Sequence, residues 1–155
     1  MNEKNSIRIW EPESEWFYEA NVQNKIKAYL ITKGWKKHSE ADTKSREHGH
    51  DLILRRYQKT FLIEVKGYPS KYYVRGNNKG QKKKTNPPTQ ARHWFGEILL
   101  SLILAKCKNP KLKIAMGLPN KPTYLTKWDE IRWLRKQIKL EVCWVYENGS
   151  VRMEK

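Results

Sequence analysis

Apolar positions near the start of the chain recur at helical spacing. Between Glu13 and Lys33, Val22, Ile26, Tyr29 and Leu30 fall three and four residues apart and Gly34 supplies a stop, so a helix is predicted there. Trp35 to His38 predicts a short strand, and the polar, charged stretch Ser39 to His50 a loop. Asp51 to Tyr57 and Thr60 to Lys66 predict two strands joined by a tight turn near Gln58 and Lys59, a turn with neither Gly nor Asn. A long segment rich in Gly, Lys and Asn runs from Gly67 to Asn86. Asn86-Pro87 then offers a cap and a first-turn proline for a helix reaching about Lys106. Its middle, WFGEILLSLILA, is apolar on nearly every side and predicts a buried helix.

Lys111 to Gly117 predicts a further strand and Pro119 to Pro122 a turn. An amphipathic helix follows over Thr126 to Lys139, with Trp128, Ile131, Leu134 and Ile138 on one stripe. Leu140 to Tyr146 reads as a last strand and Glu147-Asn148-Gly149 as a turn. The order α-β-β-β-α-β-α-β favours a central sheet covered by helices on both faces. No repeat or composition break marks a second domain, so residues 1–155 are expected to form one domain, in keeping with the length.

Composition narrows the class. The chain carries 32 Lys+Arg against 16 Asp+Glu, a net charge of +16, together with 7 Trp, 8 Tyr and 3 Phe that need a core. Two cysteines, Cys107 and Cys143, exclude a disulfide scaffold and are expected as reduced, half-buried packing residues of a cytoplasmic protein. No apolar run reaches the ~18 residues of a membrane span, and the first residues, MNEKNSIRIWEPESEW, do not read as a signal peptide. A field this basic attracts polyanions, and nucleic acid is the expected partner rather than a membrane.

The chemistry gathers between His50 and Lys66. With Tyr57 opposite Thr60, a hairpin places Ile53 opposite Glu64 and Asp51 opposite Lys66, because side chains alternate along strands and opposed residues share a face. One face then carries Asp51, Glu64 and Lys66, and the other Leu52, Leu54, Phe61, Ile63 and Val65 as core. Opposed side chains lie about 5 Å apart and diagonal ones about 7 Å, so two carboxylates can share a hard cation that keeps several waters. Lys66 would stand beside a metal-bound water, to orient or deprotonate it or to steady charge on a phosphate oxygen. A cross-strand Asp–Lys pair is also ordinary surface electrostatics. What separates the readings is the setting: the charges flank the core strands Leu52-Ile53-Leu54 and Phe61-Leu62-Ile63.

From Val65 to Gly96 there is no acid, while Lys66, Lys71, Arg75, Lys79, Lys82, Lys83, Lys84 and Arg92 stand among Tyr68, Tyr72 and Tyr73. Bases neutralise phosphates and tyrosines stack or hydrogen-bond, so Lys71 to Lys84, Arg92, Tyr72 and Tyr73 are candidate nucleic-acid contacts. A solvated loop would carry the same lysines. His48, His50 and His93 lack a Cys partner and do not make a zinc site. Trp94, Trp128 and Trp144 fall on apolar stripes and are expected in the core. No G-x-x-x-x-G-K-[ST] loop is present for ATP.

Asp51, twelve residues, then Glu64-Val65-Lys66 resembles the D-x(n)-(D/E)-x-K signature of the PD-(D/E)xK nuclease superfamily, the restriction-endonuclease-like fold. The segments REHGHDLIL, EVKGYPSKYYVRG and NPPTQARHWFGEILL look like an uncharacterised subgroup of it. His50 departs from the pattern, standing where many members have Pro. The resemblance spans about Glu13 to Gly117 and implies an α-β-β-β-α-β core with a mixed sheet, plus an extra C-terminal helix and strand. It implies Mg²⁺ or Mn²⁺ on Asp51, Glu64 and the Val65 carbonyl, with Lys66 assisting the attacking water. It also implies a glutamate on the first helix, Glu19 or in reserve Glu15, and a site role for Gln90 in the first turn of the long helix. The function expected on this basis is a metal-dependent endonuclease acting on DNA, by analogy able to form a homodimer. A nucleic-acid binding module without catalysis on the same fold is the alternative, and nothing in the sequence separates DNA from RNA.

Overall fold

The computed structural model describes residues 10–40 and 50–155. After a 3₁₀ turn at Pro12–Ser14 the elements are α1 (Glu19–Thr32), β1 (Lys36–Glu40), β2 (Leu52–Arg56), β3 (Lys59–Val65), α2 (Pro87–Lys108), β4 (Lys113–Pro119), α3 (Pro122–Glu130), α4 (Arg132–Ile138), β5 (Leu140–Val145) and β6 (Val151–Glu154). The strands form a six-stranded mixed sheet in chain order. β1, β2 and β3 run antiparallel, β3, β4 and β5 parallel, and β6 antiparallel to β5. Parallel neighbours need a crossover; α2 supplies it between β3 and β4, and α3 with α4 between β4 and β5.

The two sheet faces hold separate cores. Val22, Ile26 and Leu30 of α1 pack on Leu52, Leu54, Phe61, Ile63 and Val65. On the opposite face Ala91, Phe95, Ile98 and Leu102 of α2 and Tyr124 and Trp128 of α3 pack on Leu62, Ile114, Met116 and Val142. The protein is therefore α/β, with helices on both faces as the sequence predicts. No helix among the described residues is long and apolar enough to cross a membrane.

Several expectations need correction. The first helix starts at Glu19 rather than Glu13, because Pro12 begins a separate turn that the Asn21 amide holds by donating to the carbonyls of Glu13 and Glu15 at 2.8 and 2.9 Å. β1 runs on to Glu40, two residues into the expected loop, and the rest of that loop up to residue 49 lies outside the described residues. The amphipathic stretch after Pro122 is two helices, broken at Ile131.

β6 was not expected. Glu154 at its end accepts from the indoles of Trp128 and Trp144 at 2.8 and 3.0 Å and from Arg135 at 2.9 Å. The long helix α2 keeps its predicted cap, with Asn86 Oδ1 accepting from the Thr89 amide at 2.9 Å. It is not buried all round, since the sheet covers one side only and Leu100 and Leu104 stay 58% and 53% exposed. Neither cysteine is half-buried as expected: Cys143 is fully buried and Cys107 is exposed.

The β2–β3 register also differs. Arg56 pairs with Lys59 and Leu52 with Ile63, so the loop is Tyr57-Gln58, with Tyr57 at φ +54°. Ile53 therefore faces Leu62 rather than Glu64, and the ladder continued by one residue puts Asp51 beside Glu64, not Lys66. The displacement is two residues. An even shift keeps every side chain on its face, so the predicted core face stands, while the face of Glu64 also carries Leu62 and Ile53 and forms the second core instead of a polar face.

Candidate active site

Asp51 precedes β2, Glu64 is the penultimate residue of β3, and Lys66 follows β3, at the carboxyl end of the parallel strands β3 and β4. Open α/β sheets present their ligand crevices at that end. Asp51 Oδ2 accepts from the Val65 amide at 2.6 Å, which ties the carboxylate to the edge that β2 leaves free. Glu64 is 7% exposed. Its Oε1 accepts from the Ser101 hydroxyl of α2 at 2.9 Å and lies 2.5 Å from His50 Nδ1. The Lys66 amide donates to the Gly117 carbonyl at 3.0 Å, which holds the start of the next segment against β4.

Glu19, the first residue of α1, closes the cluster with Oε2 3.9 Å from Lys66 Nζ. The approach depends on Gly67. A Cβ there would stand 2.6 Å from the Phe17 carbonyl oxygen and 2.7 Å from the Glu19 amide nitrogen, so only glycine lets α1 begin this close to the end of β3. The Tyr68 amide bonds the Phe17 carbonyl at 2.9 Å and the buried Tyr124 hydroxyl donates to the Gly67 carbonyl at 2.7 Å, pinning the crossing from both sides.

The electrostatics follow from this crowding. Burial pushes the Asp51 carboxyl up to about 7; the Val65 amide and Lys66 oppose the rise, and Glu64 and Glu19 add to it. Burial likewise raises Glu19, against the pull of Lys66, the Gly67 amide and Arg75. Asp51, Glu64 and Glu19 thus crowd around Lys66, with Arg75 acting on Glu19 as a second cation.

A hard divalent cation of the kind the resemblance implies suits this all-oxygen donor set. Among the described residues, no three His, Cys, Asp or Glu side chains gather tightly enough to ligate an ion between them. The resemblance implies that the Val65 carbonyl and water would complete the shell of an ion held by Asp51 and Glu64.

Beside the cluster opens a cleft of about 750 Å³, with Glu19, Lys66, Gln90 and Trp94 among its walls. Asp51 and Glu64 are not among them. Gln90 Oε1 accepts from Lys83 Nζ at 3.2 Å, and burial lowers the Lys83 ammonium. Glu15 also lines the cleft but holds the Trp10 indole at 3.1 Å, so Glu19 is the glutamate nearest Lys66.

The basic segment is not a free loop. Tyr72 bridges Lys82, the Lys83 amide donates to the Lys71 carbonyl at 2.9 Å, and Tyr73 exchanges backbone bonds with Gln81 and Gly80. Lys71, Tyr72, Lys79, Lys82, Lys84 and Arg92 are exposed, whereas Tyr73 and Lys83 are half-buried. Arg75 and Lys83 face the cleft.

Trp94, expected in the core, is half-buried and forms cleft wall, with Lys66 Nζ 5.9 Å from its ring centre. His93 lines the same cleft and His50 contacts Glu64; His48 lies outside the described residues. Sequence reasoning missed Ser101, Gly67 and the contact of His50 with Glu64. Ser101 was the detectable one, as the single hydroxyl in the apolar run of α2. Searches for a matching family model, a similar curated protein or a similar solved structure find none.

Proposed function

We propose that this protein is a metal-dependent nuclease that hydrolyses phosphodiester bonds in DNA, on a restriction-endonuclease-like fold. The observation that carries the reading is the meeting of Asp51, Glu64, Glu19 and Lys66 at one strand end beside an acid-free basic segment. The run α1-β1-β2-β3-α2-β4 supports the fold part of it. In this reading Asp51, Glu64 and the Val65 carbonyl would hold Mg²⁺ or Mn²⁺, which would supply Lewis acidity and a water of lowered pKa. Lys66 orients that water and steadies charge on the phosphate, Glu19 fixes the Lys66 ammonium, and Gln90 contacts a phosphate oxygen or a water.

The reading predicts that purified protein nicks plasmid or cleaves labelled strands with Mg²⁺ or Mn²⁺ and is silent in EDTA. Asp51→Ala and Lys66→Ala should each lower the rate by about a hundredfold or more; full activity in either variant refutes the assigned site. One observation favours a second reading, a binding module without catalysis: Glu64 is already engaged by His50 and Ser101. That reading expects DNA binding indifferent to Mg²⁺ and to Glu64→Gln.

A further inference from the structure

The cleft beside Lys66 has a composition that catalysis at a phosphate does not require. Trp10, Tyr18, Tyr73 and Trp94 give it aromatic walls, and Arg75 and Lys83 stand among them. Both cations have neutral partners: Arg75 Nη2 donates to the Tyr18 hydroxyl at 3.1 Å and Lys83 Nζ to Gln90 Oε1 at 3.2 Å. Among the described residues, neither lies within ion-pair distance of a carboxylate, although Arg75 is near enough to act on Glu19, so an anion would meet both cations beside that one acid. The volume, about 750 Å³, falls within the roughly 300–1,000 Å³ of pockets that enclose a small organic group. A duplex lying across the surface would meet bases and amides but has no ring free to enter such a cavity. An unpaired nucleotide has both a ring to stack and a phosphate to neutralise.

We propose that this cleft receives unpaired nucleotides, so that the substrate is single-stranded nucleic acid or a single-stranded tail on a duplex. The proposal rests on the nuclease reading for what happens next to the strand, but the binding stands apart from it. A base stacks on Trp94, which α2 holds one turn beyond Gln90, and the flanking phosphates meet Arg75 and Lys83. Lys66 Nζ lies over the Trp94 ring, 5.9 Å from its centre. A base stacking on that face takes the place of the ammonium, which then turns to the strand's phosphate. Tyr73 is fixed for the same task by its bonds to Gln81 and Gly80 across the hairpin of the basic segment.

The test is binding of full-length protein in EDTA, followed by fluorescence anisotropy, to short labelled oligothymidylate, to oligouridylate and to a blunt duplex. The single strands should bind more tightly than the duplex, and the stronger of the two homopolymers identifies DNA or RNA. Trp94→Ala should weaken single-strand binding about tenfold, Trp94→Phe should restore most of it, and duplex binding should stay unchanged. Tyr73→Ala, on a separate element, should weaken single strands in the same way. Duplex binding as tight as single-strand binding, or single-strand affinity unmoved by both Trp94→Ala and Tyr73→Ala, overturns the proposal and leaves the nuclease reading standing. A strand that binds as expected yet stays whole with Mg²⁺ or Mn²⁺ upholds the cleft and overturns the nuclease reading alone.

Discussion

Asp51 is held where its charge is costly. Its carboxyl ordinarily titrates near 3.8 and is pushed up to about 7, burial being the first cause. The folded protein therefore holds this proton more tightly than the unfolded chain. The associated stability is complete below about pH 4 and is lost as pH rises through about 7. At most the ionised group costs on the order of 4 kcal/mol. Asp51→Asn keeps an oxygen for the Val65 amide and removes the charge. Thermal melts should accordingly show the Asn variant matching the native protein near pH 4 and exceeding it at pH 8, with the proposed nuclease activity lost. An Asn variant less stable than native at pH 8 would show that the carboxylate is not the burden described. Costs of this kind are commonly carried at functional sites, which joins this prediction to the site's proposed chemistry.

At the scale of elements, the site exists because α1 crosses the end of β3 at van der Waals limits. Gly67→Ala would drive a methyl into the Phe17 carbonyl and the Glu19 amide, so the start of α1 must retreat and take Glu19 away from Lys66. The expected result is a loss of about 1–3 kcal/mol in urea denaturation with a larger relative loss of cleavage than of strand binding. Equal activity in the variant would mean that Glu19 has no part in the reaction. How much of this was legible follows from the same elements. Period-two alternation sorted Leu52, Leu54, Phe61, Ile63 and Val65 from Asp51, Glu64 and Lys66 correctly even with the hairpin register displaced. Only an odd slip exchanges faces. The register itself was not legible, because Tyr57 takes the positive φ of the turn without the Gly or Asn that would announce it. β6 was hidden for a related reason: four residues, half of them exposed, make no pattern, and Glu154 earns its place only through three partners distant in sequence. Trp94 was misassigned because an apolar stripe on α2 does not reveal where the covering sheet ends.

For the whole molecule the question is whether the charge of +16 acts as a diffuse field or through the segment after β3. That segment holds eight of the 32 bases; the others are spread elsewhere along the chain. The two possibilities differ in salt dependence. Each phosphate neutralised on a single strand contributes about 0.7 to the slope of log affinity against log salt. Lys79, Lys82 and Lys84 are exposed, and no ion pair ties them to a carboxylate among the described residues. Their joint replacement by Gln should leave the fold intact and flatten the slope by about 2. Lys36, Lys108 and Lys136 are equally exposed and lie outside the segment. Replacing those three lowers the net charge by the same amount and should leave the slope nearly unchanged, with at most a small decrease in association rate. If both triple variants lose the same slope, the charge is a field and the acid-free segment has no special claim on the strand. If only the first does, the protein grips its substrate beside Lys66, and its remaining charge serves to bring that substrate near.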